Sequence, residues 1–330
     1  MIKLAITGAG YIARIHADAA KALPDVELVA VVEKYPKTAK PFVKRYHLQR
    51  QYKTIDGLLK EAGIDALVIG TPNYLHASQA IKAMQAGVHV MVEKPMAMNS
   101  KEAYKMLEAS QEYGTILMVA HCWRFDPEVL WLRKQVESGR LGKIIRTKGY
   151  GVHALWGPSG WFTQKRFAGG GAMADMGIHA LDTARFLLGD PLPESVYARI
   201  GTYYTDYNVD DTGILLVNWE NGTTSYIESG WWQPHSDGPE AATQLYGDKG
   251  FGQTYPTFVS DQEGKDDPGF THPRKDHAPQ SLYNDQLEYF VQCIRTKQTP
   301  KPGGLEGYIN MKIIDAAYKS AKTGKVVRVK

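Results

Sequence analysis

The chain opens on a short apolar run, Ile2-Lys3-Leu4-Ala5-Ile6-Thr7, which passes without a linker into Gly8-Ala9-Gly10-Tyr11-Ile12-Ala13. A strand that enters a glycine turn and continues as a helix leaves few folds open. Gly8 allows the tight turn, Gly10 lets a pyrophosphate approach the backbone, and small Ala13 lets the helix pack closely on the strand. Gly8, Gly10, Tyr11 and Ile12 are therefore the expected contacts of a dinucleotide. The helix reads over 11–22 and ends at Leu23-Pro24. A second apolar run, 27–33, ends on Glu33, where a carboxylate would accept from ribose hydroxyls and repel a 2′-phosphate. NAD is the preferred cofactor on that ground, while Lys34 beside it keeps NADP open.

Alternation continues with a helix near 54–61, a strand at 66–69, a helix near 77–85, a strand at 89–92, a helix near 100–112 and a strand at 116–119. This rhythm predicts a doubly wound parallel sheet over residues 1–121, in which ligands lie beyond the carboxyl ends of the strands. Two chemically loaded stretches occupy such ends. In Thr71-Pro72-Asn73-Tyr74-Leu75-His76, the residues Thr71, Asn73 and His76 are candidate cofactor contacts, with helix capping or a core role as the competing reading for Asn73 and His76. In Glu93-Lys94-Pro95, Glu93 is a further cofactor candidate. Lys94 can lower the pKa of a neighbouring acid or carry alkoxide charge, and the proline fixes the local geometry, a cis bond included.

From about residue 120 aromatics multiply and the parallel rhythm stops. Strands read at 146–153, 195–203, 213–219, 223–231 and 243–246, with turns at Asn221-Gly222 and Asp248-Lys249-Gly250. They predict an open, mainly antiparallel sheet in an α+β domain over 122–330, with a helix over 171–188 on one face that stops at Gly189-Asp190-Pro191. That helix carries Asp175, His179 and Asp182 at i, i+4 and i+7, one face of an α-helix. A carboxylate one turn from an imidazole fixes its tautomer and stabilises its protonated form, as proton transfer to or from an alcohol requires; a solvated helix face is the plain alternative. Trp123, Trp156, Trp161, Trp231 and Trp232 are available to wall a carbohydrate site or to fill a core. Arg124, His153 and Trp161 are expected near substrate, with a satisfied structural histidine as the equal alternative for His153. Residues 260–280 read as a long loop, 282–295 and 305–322 as helices, and 325–329 as a closing strand. The first of these helices is expected to pack back on the nucleotide domain.

Taken in order, Gly8-x-Gly10-x-x-Ala13, Pro72-Asn73-x-x-His76, Glu93-Lys94-Pro95, Arg124-Phe125-x-Pro127 and Gly169-Gly170-Gly171-x-x-x-Asp175-x-Gly177-x-His179-x-x-Asp182 resemble the family of glucose-fructose oxidoreductase, inositol dehydrogenase and rhizopine catabolism proteins. The resemblance covers the chain almost end to end. It implies a catalytic set of Lys94, Asp175 and His179 facing the nicotinamide, and a sugar, cyclitol or derivative whose ring hydroxyl is oxidised, or the reverse. Carried over residue by residue, His179 is the acid/base, Lys94 the electrostatic partner and Asp175 the orienter or hydroxyl ligand. Lys94, Arg124, His153, Asp175 and His179 then bind substrate, and Trp161 lies beside the nicotinamide. Trp123 departs from the pattern, standing where relatives often carry a basic residue.

Lys plus Arg total 39 against 35 Asp plus Glu, with no basic block, so nucleic acid is not an expected partner. No apolar run reaches membrane-spanning length, and the first strand begins too early to leave room for a leader. Cys122 and Cys293 form no metal-ligand spacing, and His272 and His277 have no matching ligand pair. A metal-free, cytoplasmic enzyme is expected, forming a homodimer or homotetramer through the exposed face of the sheet. Two other readings compete: a redox-assisted, NAD-dependent glycosidase or eliminase, and a non-catalytic NAD sensor.

Overall fold

Six strands form the first sheet of this computed structural model, which describes residues 1–61, 63–269 and 278–329. They are β1 (Ile2–Thr7), β2 (Val26–Val32), β3 (Arg50–Tyr52), β4 (Ala66–Ile69), β5 (His89–Glu93) and β6 (Leu117–Ala120), all parallel in the order β3-β2-β1-β4-β5-β6. Helices α1 (Tyr11–Ala22), α2 (Pro36–Tyr46), α3 (Ile55–Glu61), α4 (His76–Gln85) and α5 (Ser100–Glu112) connect them. β4 and β6 are buried along their whole length, as expected of parallel strands covered on both faces. The order reverses between β1 and β4, the topological switch point where such sheets bind ligands.

Among the described residues the second sheet has nine strands. After α6 (Pro127–Glu137) come β7 (Ile144–Ala154), the one-turn α7 (Lys165–Ala168), α8 (Ile178–Leu187), β8 (Pro193–Gly201), β9 (Thr212–Trp219), β10 (Thr224–Gln233), β11 (Ala241–Gly247), β12 (Gly250–Gln253), β13 (Phe258–Asp261) and β14 (Asp266–Pro268). The chain ends with α9 (Gln280–Thr296), α10 (Gly304–Thr323) and β15 (Val327–Arg328). The sheet runs β14-β13-β12-β11-β7-β10-β9-β8-β15 and is antiparallel except for the β7–β10 pair. Residues of β9 alternate between buried Leu215, Val217 and Trp219 and outward Ile214 and Leu216, and α8 packs on the buried face.

The chain divides into two compact units, one of Met1–Cys122 with Pro279–Tyr308, the other of Trp123–Ala278 with Ile309–Lys330. The first boundary falls one residue from the expected one. Residues 279–308, expected in the second domain, belong to the first, because α9 packs along α1.

Several elements escape the pattern of the sequence. α2 has Pro36 at its first position and Pro41 inside it, which masks the helical signal. α6 likewise starts at a proline, and Asp126 caps it by accepting from Glu128 N at 2.8 Å. The long loop expected over 260–280 is in part a sheet edge, since β13 and β14 occupy its start; residues 270–277, with His272 and His277, lie outside the described residues.

Candidate functional site

In the first unit the glycine turn fits a dinucleotide. Gly8 has φ of +89°, and a Cβ there would stand 2.7 Å from the carbonyl oxygen of Gly70, so the turn closes against the end of β4 only with glycine. A Cβ on Gly10 would meet nothing within 4 Å, which is the open approach a pyrophosphate needs. The first turn of α1 has no side-chain cap and no acidic residue, so its amides and dipole are left to an anion. Tyr11 is exposed and Ile12 half-buried beside Gly70. At the end of β2, Glu33 accepts from the backbone of Tyr35 at 2.8 Å, while the Lys34 ammonium lies 5.8 Å from the Tyr35 ring.

The other strand ends are tied down by hydrogen bonds. Thr71 donates to Gln79 Oε1 at 3.0 Å, and Asn73 is buried. The buried His76 ring bridges two backbone carbonyls, Pro95 at 3.0 Å from Nδ1 and Thr71 at 2.8 Å from Nε2; burial pushes its pKa down, and a neutral ring donates to one of them at a time. The core reading of His76 accounts for this geometry. Glu93 also faces inward, with Oε1 2.8 Å from His16 Nε2 and Oε2 accepting from Lys94 N at 3.1 Å. A carboxylate only accepts, so His16 carries its proton on Nε2. Lys94 thus follows a buried carboxylate with a hydrogen-bond partner on each oxygen, at a Lys94–Pro95 bond that is cis.

In the second unit, the expected continuous helix over 171–188 is a wide π turn, Met173–Gly177, followed by α8. Such turns concentrate at functional sites because they re-aim side chains. Glycines let this segment lie directly on the sheet: a Cβ on Gly151 of β7 would stand 2.6 Å from the Met176 carbonyl oxygen. Asp210, buried, caps the turn from outside by accepting from Gly171 N and Met173 N, both at 2.8 Å, and from Tyr318 Oη at 2.7 Å. Burial pushes the Asp210 carboxyl up, against those three donors, which pull it down.

Asp175 sits in the π turn, where Trp231 Nε1 donates to its Oδ2 at 3.1 Å. His179 stacks on Trp123, ring centroids 4.6 Å apart, with 9% of its surface exposed. Asp182, expected on the same ionisable face, is instead gripped by Arg124 through Nε at 2.7 Å and Nη2 at 2.8 Å, and by Asn310 at 2.7 Å. Arg124 also reaches Asp190 at 2.8 Å and is 97% buried as a residue. Expected beside substrate, this guanidinium is committed to a buried ion-pair network. His153, nearly buried, stacks on Trp156 at 3.7 Å, and Trp161 stacks on Phe162 at 3.9 Å.

Sequence reasoning passed over His16, Asp210 and Tyr318. A histidine on the alanine-rich buried face of α1 is a local signal for a buried polar partner; Asp210 and Tyr318 act across more than 30 residues and leave none. Among the described residues no group of three or more His, Cys, Asp or Glu side chains is placed to hold a metal ion, and no helix is long and apolar enough to cross a membrane. Cys122 and Cys293 are buried and not joined in a disulfide.

Comparison with known proteins agrees with this architecture. Residues 2–121 match the model of an oxidoreductase family with an NAD-binding Rossmann fold, and residues 129–251 match the GFO/IDH/MocA C-terminal domain. The chain is 29% identical to D-glucoside 3-dehydrogenase of Escherichia coli (strain K12), over 99% of this chain and 97% of that protein. It is 25% identical to scyllo-inositol 2-dehydrogenase (NAD(+)) of Bacillus subtilis (strain 168), over 99% and 96%. The structure of aldose-aldose oxidoreductase from Caulobacter crescentus superposes with a TM-score of 0.86 at 27% identity, covering 99% of both chains. That of a levoglucosan dehydrogenase with NADH shares the fold with a TM-score of 0.90 at 23% identity, covering 100% of this chain and 99% of the other. The chain therefore belongs to the GFO/IDH/MocA oxidoreductase family, and its first unit is that family's NAD-binding Rossmann domain.

Proposed function

We propose that the protein is an NAD-dependent dehydrogenase that oxidises a ring hydroxyl of a sugar, cyclitol or sugar derivative, or reduces the corresponding ketone. The observation that carries this reading is that Asp175 in the π turn and His179 in the following α8 are each held by an indole, Trp231 on the carboxylate and Trp123 under the imidazole. A nucleotide-binding protein with no acid/base task has no physical need for that pair.

NAD, when bound, supplies the hydride acceptor; Gly8, Gly10, Tyr11, Ile12 and Glu33 are the residues that would hold it, with Thr71, Asn73, Glu93 and Trp161 as further contacts. The protein's part is proton transfer and charge. In this reading His179 takes the hydroxyl proton on its imidazole, Lys94 steadies the negative charge left on the oxygen, and Asp175, oriented by Trp231, accepts from a substrate hydroxyl. His153 is a further substrate contact in this reading. NAD is preferred over NADP because the Glu33 carboxylate repels a 2′-phosphate.

The test is a panel of inositols, hexoses, pentoses and anhydrosugars with NAD and then NADP, followed by nicotinamide absorbance, with Lys94→Ala and His179→Ala alongside. Each variant is expected to lose at least about a hundredfold in kcat with NAD affinity nearly unchanged. Full turnover in both variants would remove the assignment.

We also infer a homo-oligomer, supported by Ile214 and Leu216 on the outer face of β9, which stand 38% and 37% exposed opposite the helix-covered face. A monomeric mass in light scattering overturns it. Two buried cysteines outside any disulfide suit a reducing compartment such as the cytoplasm.

A further inference from the structure

Two tryptophans stand opposite one histidine where β10 runs beside β7. Gly230 pairs with Val152 and Gln233 with Ala154, so Trp231 and Trp232 together face His153. The extra residue is a β-bulge, a device that sends successive side chains in new directions. It holds Trp232 at φ of +58°, a conformation that bulky residues rarely adopt and that persists only where the surroundings impose it.

The bulge separates the two rings. Trp231 is fully buried and donates to Asp175, whereas Trp232 is 40% exposed. The exposed ring is not loose: its Nε1 donates to Tyr207 Oη at 3.3 Å, and its backbone N–H donates to the Trp156 carbonyl at 2.8 Å. Trp156 is fixed in the same way, with Nε1 donating to Glu240 at 2.7 Å and one face resting on His153. It is 44% exposed. Both indoles spend their polar edge on the protein, so what they offer to solvent is rigid ring carbon. Tyr207 joins this surface to Trp231, ring centroids 6.5 Å apart, and hence to Asp175.

We propose that Trp156 and Trp232 form a carbohydrate subsite beyond the reacting ring, which takes the second sugar ring or the aromatic aglycone of a glycoside. The proposal rests on the dehydrogenase reading above and narrows its substrate class. Fixed indole faces suit the flat C–H surface of a pyranose or an aryl ring, and the neighbouring Glu240 carboxylate is an acceptor for hydroxyls. Continuity through Tyr207 and Trp231 to Asp175 favours a substrate extension over a second copy of the chain.

The experiment compares D-glucose, phenyl α- and β-D-glucopyranoside, maltose and cellobiose as substrates of the intact protein with NAD, in wild type, Trp156→Ala and Trp232→Ala. Binding of the same five sugars is read separately by titration calorimetry, and folding by thermal melting. The best glycoside is expected to exceed D-glucose at least tenfold in kcat/KM, and each variant to cut that ratio about tenfold. Turnover with ratios equal in wild type and variants overturns the subsite. Glycoside binding weakened in the variants, with no turnover of these five sugars, supports the subsite and overturns a glucoside as the oxidised substrate; absence of binding overturns the subsite, while the dehydrogenase reading is decided by the panel of inositols, pentoses and anhydrosugars. Conversion of an oligomer to monomer by either variant, with ratios unchanged, assigns the surface to a second copy instead.

Discussion

His16 Nε2 lies 2.8 Å from Glu93 Oε1 with the imidazole fully buried and the glutamate 7% exposed. Glu93's other oxygen accepts the backbone N–H of Lys94. A side chain from the first helix after the glycine turn therefore fixes the strand end that presents the candidate catalytic lysine. A carboxylate out of water is tolerated only when its oxygens are engaged, and here His16 supplies one engagement and the Lys94 backbone the other.

Removing one partner should expose that dependence. His16→Ala is expected to destabilise the protein by about 3–5 kcal/mol in urea unfolding, because the Glu93 charge stays buried with one oxygen unpaired. Glu93→Gln has one carbonyl acceptor for two donors and should cost about 1–3 kcal/mol. His16→Gln, which restores an amide donor, should recover part of the loss; identical midpoints for His16→Ala and wild type would show that the pair carries no stability.

Trp231→Phe tests the orientation of Asp175. The substitution keeps an aromatic ring in the core, removes the donor to Oδ2 and leaves the smaller volume of a phenyl ring, a loss that the melting temperature reads separately from kcat. A hydrogen bond to an ionised carboxylate contributes about 1.5–3 kcal/mol, so kcat should fall roughly 10- to 100-fold on the best sugar or cyclitol substrate. NAD affinity, measured by fluorescence titration, should not change. A variant with wild-type kcat would show that Asp175 needs no orientation from this indole.

Arg124 gives a prediction in which stability and binding part company. Its guanidinium joins Asp182 and Asp190, so Arg124→Met takes the main countercharge from both carboxylates and should cost about 3–5 kcal/mol. At a temperature where the variant remains folded, KM for the sugar should stay within about twofold of wild type, a change of no more than about 0.4 kcal/mol in binding. A tenfold rise in KM with an unchanged melting temperature would return Arg124 to the substrate site.

The sequence was most legible where a local pattern and the tertiary role coincide. Tyr11–Ala22, Ala66–Ile69 and Ser100–Glu112 are read at their observed bounds, because apolar period and end signals agree in each. Helical spacing around Asp175 and His179 identified the segment but not its geometry. A π turn depends on Gly151 and Gly177 allowing close contact with the sheet, and on Asp210 capping it from a distant loop. The ion pair of Asp182 and Arg124 is illegible for a related reason: a buried ion pair and a solvent-facing acid or base carry the same residue types, and only the fold brings Asp190 and Asn310 to them. The two tryptophans of the β10 bulge have the same limit, since register, not residue type, sends one inward and one outward.

His89 links pH to the integrity of the nucleotide-binding sheet. Its Nδ1 accepts the backbone N–H of Ile116 at 3.0 Å, joining the start of β5 to the residue before β6, and this bond exists only while that nitrogen is unprotonated. Burial pushes the imidazole below its ordinary value of 6.5, with nearby Asp65 pulling the other way. In the unfolded chain the ring titrates at the ordinary value, so below it the unfolded state binds a proton that the folded state refuses. The stability contributed by neutral His89 is therefore present above about pH 6.5 and is lost as pH falls through the lower folded value. His89→Gln keeps an acceptor for Ile116 and removes the titration. Melting curves collected from pH 7.5 to 5 should fall more steeply for wild type than for His89→Gln, with the two converging at the acid end; parallel curves would assign the acid sensitivity of the protein to other groups.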